Sequence, residues 1–273
     1  MIRDITIGQY YPEQSIIHRL DPRVKLFTTM IYVIALFSYK GIAGLAVITA
    51  FLVFCIKLSR VPFSYIIKGL KSIVVLLTFT SLFNLFLTPG KHNYWEWKML
   101  VISDTGIVNA INIAIRLVYL IVGTSLMTLT TTPNQLTDGL EKSLKPLSKI
   151  GVPVHAIAMM MSIALRFIPI LIEETDKIMK AQMARGADFD SGNLIQKAKS
   201  MVPLLIPLFV SAFRRADDLA MAMEARCYSG GEGRTKMKPL RYRAADRRAY
   251  LILFVFLGLV ILARIFVPFS IFL

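Results

Sequence analysis

Residues 154–172 read VHAIAMMMSIALRFIPILI, interrupted in their apolar character only by His155, Ser162 and Arg166. A membrane span needs about 20 apolar residues, so this run is long enough to cross a bilayer. Whether it crosses decides the fold, because everything after it would change sides. Other apolar runs occupy 24–39, 42–56, 72–88, 106–130 and 249–273. Between them, residues 57–71 carry Lys57, Arg60, Lys68 and Lys71 and no acid, and the start of the chain carries Arg3, Arg19, Arg23 and Lys25. Lysine and arginine accumulate on the cytosolic side of membrane proteins, so both segments belong inside. An even number of spans must separate them, which a tight hairpin turning at Lys40-Gly41 supplies.

Alternation then fixes the remainder. The third run leads out to a loop, 89–105, with Tyr94, Trp95 and Trp97 placed as interfacial anchors. The fourth returns inside to segment 131–248, which holds 19 of the 32 lysines and arginines and 12 of the 17 acids. The fifth, 249–273, exits. This assigns 27 basic residues to the inner face, three outside, and two (Arg116, Arg264) to spans. Were 154–172 to cross, that balance would be lost. We therefore read 153–185 as one long helix lying under or partly in the membrane. It would be about 50 Å long at 1.5 Å per residue. Met159, Met160 and Met161 are adaptable packing residues. A shorter helix over 134–147, started by Thr132-Pro133-Asn134, precedes it, and MVPLLIPLFVSAF at 201–213 is too short to span.

The expected fold is an all-α integral membrane protein with about five transmembrane helices and a bundle of long cytosolic helices inserted before the last span. Its parts are an N-terminal membrane region 1–130, a cytosolic region 131–248 and a C-terminal transmembrane helix 249–273. The chain has 273 residues, 55% of them hydrophobic, a net charge of +15 and a mean hydropathy of +0.60. Such charge on a soluble protein suggests nucleic acid. Here the cations flank apolar runs, so topology and anionic lipid account for them instead, and no nucleic acid is expected. Cys55 and Cys227 fall in different environments and should not pair. The first 23 residues have no apolar core, so no cleaved signal peptide is expected.

Catalytic patterns are lacking. The glycine-rich run Ser229-Gly230-Gly231-Glu232-Gly233-Arg234-Thr235 has the wrong spacing for a phosphate loop and no lysine before the hydroxyl, so it reads as a flexible turn. His18, His92 and His155 are scattered, so no metal site is expected. Asp138-Gly139 stands alone, and no acidic pathway runs through the spans as a proton-driven carrier would need. An enzyme is not expected.

What stands out is a repeat. Ala184-Arg185-Gly186 and Ala225-Arg226-Cys227 lie 41 positions apart, with Asp176 matching Asp217 and Ala181 matching Ala222 at that offset. A lone arginine there would merely complement a helix C-terminus, with Gly186 as the left-handed stop. Helix stopping does not require small-Arg twice, whereas a small residue lets a helix tip enter a cleft and guanidinium pairs bidentately with a carboxylate. Two such tips suit a two-lobed partner. Cys227 has less left-handed freedom than glycine, which Ser229-Gly230-Gly231 should restore further on. Asp176, Asp217 and Asp218 form a solvated face or pair with Lys180, Arg214 and Arg215. Asn109, Asn112 and Arg116 share one face (i, i+3, i+7) and suggest a buried polar stripe, for helix packing or for a second membrane protein. Gly123 and Ser125 allow close helix approach nearby. A self-contained carrier, with Arg116 and Asn112 in its own substrate path, is the competing reading.

The opening Gly8-Gln9-Tyr10 followed by Ser15-Ile16-Ile17-His18-Arg19-Leu20-Asp21-Pro22-Arg23-Val24-Lys25-Leu26 resembles that of the transmembrane T component of energy-coupling factor (ECF) transporters, the EcfT/CbiQ family. The Ala-Arg endings resemble that family's paired coupling motifs, and the likeness covers essentially the whole chain. Cys227 stands where the family usually has glycine. The resemblance implies a non-catalytic scaffold in the bacterial cell membrane, joining two cytosolic ABC-type ATPase subunits to a substrate-capturing S component. It further implies that Arg185 and Arg226 each dock into one ATPase, flanked by Ala184, Gly186, Ala225 and Cys227. ATP and Mg would be used by the partners, no cofactor would be bound by this chain, and the imported substrates would be vitamins or metal ions.

Overall fold

Asp21-Pro22 starts the first helix for a local reason: the Asp21 carboxylate accepts from the backbone N–H of Arg23, and Pro22 occupies a first-turn position where its missing N–H is harmless. A computed structural model describes residues 10–39, 41–71, 73–88, 93–97, 100–189, 193–230, 237 and 239–266. Among these residues ten helices follow in order: α1 Pro22–Ser38, α2 Gly41–Ser59, α3 Phe63–Lys71, α4 Val74–Leu87, α5 Asp104–Thr130, α6 Pro133–Leu144, α7 Val154–Ala184, α8 Leu194–Ser200, α9 Val202–Glu224 and α10 Ala244–Phe266. A 3-10 segment, Lys145–Ile150, separates α6 from α7. Among the described residues the regular structure is helical apart from a two-stranded antiparallel ribbon, β1 Asn93–Trp97 and β2 Leu100–Ser103, within the segment expected to be a loop. The anchoring role of the Tyr94, Trp95 and Trp97 side chains lies outside what is described.

The α1–α2 turn is made where expected, with Gly41 at a φ of +71°. The loop expected over 57–71 is instead largely α3, whose Ile66 is fully buried while Lys71 is exposed. Among the described residues four helices (α2, α5, α7 and α10) are long and apolar enough to cross a membrane, or five when the bent pair α3–α4 is counted as one span. At 17 residues α1 sits at the lower limit for a span. The chain is thus a multi-pass membrane protein.

Two compact units are formed, one from Gly8–Gly139 with Leu240–Leu273 and the other containing Leu140–Pro239. In the first, α5 is the central element, packed by α1, α2, α3 and α4, while α10 packs on α1 and α2. The close approach expected at Gly123 and Ser125 is present. A Cβ at Gly123 would overlap the Tyr32 ring, and one at Gly69 would stand 3.1 Å from the Ser125 hydroxyl. Tyr32 is buried and donates its hydroxyl proton to the Tyr119 carbonyl oxygen at 2.9 Å. Phe51 stacks on Phe256, with centroids 4.1 Å apart, bringing α2 onto α10. Ser103 joins α4 to α5: its hydroxyl donates to Thr88 O and accepts from Gly106 N–H. Thr132 and Gln135 exchange side-chain and backbone hydrogen bonds at the start of α6, a capping box of the kind its sequence suggests.

In the second unit α7 packs antiparallel on α9. The direction follows from contacts at both ends: Gln182 reaches Pro203, Glu174 reaches Arg215, and Ile163 and Phe167 line one cleft with Leu219 and Met223. Residues 201–213, too short to span, form the first half of α9.

Candidate functional site

A helix ends with unpaired carbonyls, and their satisfaction sets the shape of its tip. At the end of α7, Gly186 N–H donates to Met183 O and Ala187 N–H to Gln182 O, both at 3.0 Å, with Gly186 at a φ of +89°. At the end of α9, Cys227 N–H donates to Glu224 O at 2.8 Å and Tyr228 N–H to Met223 O at 3.0 Å, with Cys227 at +57°. Shifted by 41 positions these are the same bonds, a Schellman ending in which the left-handed residue follows the arginine. The repeat in sequence is therefore a repeat in backbone shape. Cys227 takes the left-handed conformation itself, and Gly230, in the run Ser229-Gly230-Gly231 expected to restore that freedom further on, is left-handed as well at +98°. For a non-glycine residue this costs about 1–2 kcal/mol.

All six tip residues, Ala184, Arg185, Gly186, Ala225, Arg226 and Cys227, are exposed. Nothing lies within 4 Å of where a Cβ would stand on Gly186. Neither arginine makes an ion pair among the described residues. Because α7 and α9 run antiparallel, the arginines occupy opposite ends of the pair, roughly 35 Å apart from the helical rise. Two equivalent cationic knobs thus face outward from a single rigid element.

The seam between them is held in an unexpected way. Arg215 pairs with Glu174 at 3.0 Å, and Asp217 and Asp218 are exposed without an ion pair among the described residues. Of the two readings offered for the aspartates, Asp217 and Asp218 take the solvated face, and Arg215, which faces α7, makes a cross-helix bond to Glu174 instead of pairing with them. Gln182 donates to Pro203 O at 3.3 Å. That carbonyl lacks a partner within its own helix because Pro207, four residues on, has no N–H. Ala212, Ala216 and Ala220 form a row of small side chains facing Ile163, Phe167 and Leu171 across a cleft of about 280 Å³.

The stripe on α5 is not a continuous network. Asn109 is exposed, Asn112 donates to its own helix at Val108 O, and only Arg116 reaches another element. Its guanidinium lies 5.2 Å from the centre of the Tyr39 ring and 5.6 Å from that of Phe37, within cation–π range. Arg264 donates to the Ser38 hydroxyl at 2.8 Å, so both intramembrane arginines gather at the α1–α2 turn. Cys55 and Cys227 are free, as expected. No metal-binding group of His, Cys, Asp or Glu occurs among the described residues; His92 lies outside them, and His155 bonds Glu141 at 2.9 Å.

Several residues of the opening run, Ser15, His18, Asp21, Arg23 and Lys25, form a buried to half-buried knot. Asp21 holds Arg23 at 2.8 Å and its N–H donates to Asp246 at the start of α10; Asp246 also accepts from Arg243 N–H. Lys25, also buried, donates to Thr130 O at 2.7 Å and His18 O at 3.3 Å. His18 meets the Ser15 hydroxyl at 2.6 Å and Tyr11 O at 3.1 Å, and burial holds its pKa below the usual imidazole range. Pairing across 225 positions leaves no local signature.

Residues 13–237 match the family described as cobalt transport protein, CbiQ. The chain is similar to proteins named energy-coupling factor transporter transmembrane protein EcfT. That of Clostridium kluyveri is 58% identical over 266 residues, covering 97% of this chain and 98% of the relative. Those of Ruminiclostridium cellulolyticum and Bacillus subtilis are 53% and 48% identical, covering 96% and 97% of this chain and 98% and 100% of the relatives.

Proposed function

We propose, on the premise that the chain belongs to the EcfT/CbiQ family and is the transmembrane component of an ECF transporter, that it couples ATP hydrolysis by its partners to substrate uptake. In this reading two cytosolic ATPase subunits each receive one tip, Arg185 on one and Arg226 on the other, and a membrane-embedded S component captures the vitamin or other micronutrient. The start of the chain and the α7–α9 pair face the cytosol, and the chain itself performs no catalysis and holds no cofactor.

One observation carries this: the two tips share a backbone ending and stand at opposite ends of an antiparallel pair. When a two-lobed ATPase closes on ATP, its lobes approach. A rigid element held at both ends must then rotate or shear, and packed helices transmit such shifts as units. Arginine suits the grip, since its planar fork pairs with carboxylate in fixed geometry. The small residues beside each arginine let the tip enter a groove.

Reconstitution into liposomes tests the reading. Uptake should require ATP, the ATPases and an S component together. Uptake by this chain alone would establish a self-contained carrier and refute the proposal.

A further inference from the structure

A cavity of about 340 Å³ opens at the end of the membrane unit where α1 and α10 begin and α2 and α5 finish. Its walls are mostly hydrocarbon, including Phe54, Leu58, Met127 and Ile252. Its size is at the lower end of ordinary ligand sites. Two cations line it, Lys25 and Arg248. Lys25 is occupied by two backbone carbonyls. Arg248 is exposed and makes no hydrogen bond or ion pair among the described residues.

Arg241, Arg243 and Arg247, which precede Arg248 in the chain, are exposed as well. Cations at a helix N-terminus oppose the macrodipole, so helix stability does not explain them. Nor does local neutralisation. The one acid in the first turn of α10, Asp246, is buried and accepts from two backbone N–H groups. This end of the unit therefore carries an excess of positive charge around an apolar cavity.

An occupant must match both features. A small soluble anion would leave the hydrocarbon walls wet, and a neutral lipid would leave Arg248 without a partner. We infer that the cavity seats one acyl chain of an anionic phospholipid whose phosphate meets the Arg248 guanidinium. The inference rests on the membrane unit alone and is independent of the coupling proposal.

Native mass spectrometry of the detergent-solubilised transporter, purified through this chain and offered equal phosphatidylglycerol and phosphatidylcholine, tests it. The intact complex should retain one phosphatidylglycerol in preference to phosphatidylcholine by about fivefold, from the energy of one arginine at an anionic surface. Arg248→Ala should abolish the preference and Arg248→Lys retain most of it. Cys55→Trp, which fills the cavity, should remove the bound lipid of either kind. The same complex should melt unchanged in Arg248→Ala, separating lost binding from lost fold. Equal retention of the two lipids by the parent chain, an undiminished preference in Arg248→Ala, or displacement of the lipid by glycerol 3-phosphate would overturn the inference.

Discussion

Gly186 offers a test in which backbone strain acts without steric conflict. At a φ of +89° it closes the α7 tip, and a side chain added there meets nothing within 4 Å. Any effect of Gly186→Ala therefore comes from the left-handed backbone, at about 1–2 kcal/mol. The free tip can relieve that strain by unwinding its last turn, whereas a docked tip must restore the turn. The penalty accordingly appears as weaker docking, and at 1.4 kcal/mol per tenfold it amounts to roughly 5- to 30-fold. Asparagine tolerates the left-handed region better and valine worse, so affinity should fall in the order Gly, Asn, Ala, Val. Cys227→Gly is the mirror experiment at the other tip. It relieves about 1–2 kcal/mol but gives back about 0.4–1 kcal/mol of unfolded-chain entropy, so docking should hold or tighten by no more than about 15-fold. The assay is equilibrium binding of the purified ATPase pair to the chain in nanodiscs, with the opposite tip arginine replaced by alanine so that one tip is read at a time. Undiminished binding by Gly186→Val would refute the claim that the tip docks in its Schellman shape.

Two further outcomes concern the membrane unit. Gly123→Ala drives a Cβ into the Tyr32 ring and displaces the hydroxyl bonded to Tyr119 O. Over-packing of about 1–3 kcal/mol and about 1 kcal/mol for the hydrogen bond exceed the roughly 1 kcal/mol gained in helix propensity. The melting temperature should fall, and a variant as stable as the parent would show that α1 and α5 do not approach here. His18 is held neutral, with its pKa lowered on folding. The stability this contributes is present above about pH 6.5 and is lost as pH falls from there through the folded value. Melting between pH 7.5 and 5.5 should show a drop that His18→Asn reduces; an identical slope in both proteins would exclude the imidazole as its source.

What the sequence disclosed and what it hid divide along physical lines. Local rules were legible: the Gly41 turn, the Thr132 cap and the Arg185 helix end are each fixed by a few neighbouring residues. The glycine at 123 was legible as well, since small residues in an apolar helix exist to be approached. The exact likeness of the two tips was only half visible, because Cys227 has the wrong residue type for the conformation that Met223, Glu224 and Tyr228 impose on it. Contacts between distant elements could not be read. Arg215 had nearer acids in sequence yet chose Glu174, and Asp21 found Asp246 at the far end of the chain. The helix α3 was concealed by its lysines, which suggested a loop although Ile66 gives it a buried side.

The tips as paired grips are tested most directly by removing both charges. The chain carrying Arg185→Ala and Arg226→Ala, purified by affinity from native membranes, should have lost its ATPase subunits and its ATP-dependent uptake. Each single change should weaken assembly by about 2–5 kcal/mol, as for one partner of a buried charge pair. A double variant that brings down both ATPases in normal amounts and transports at the parent rate would contradict the account.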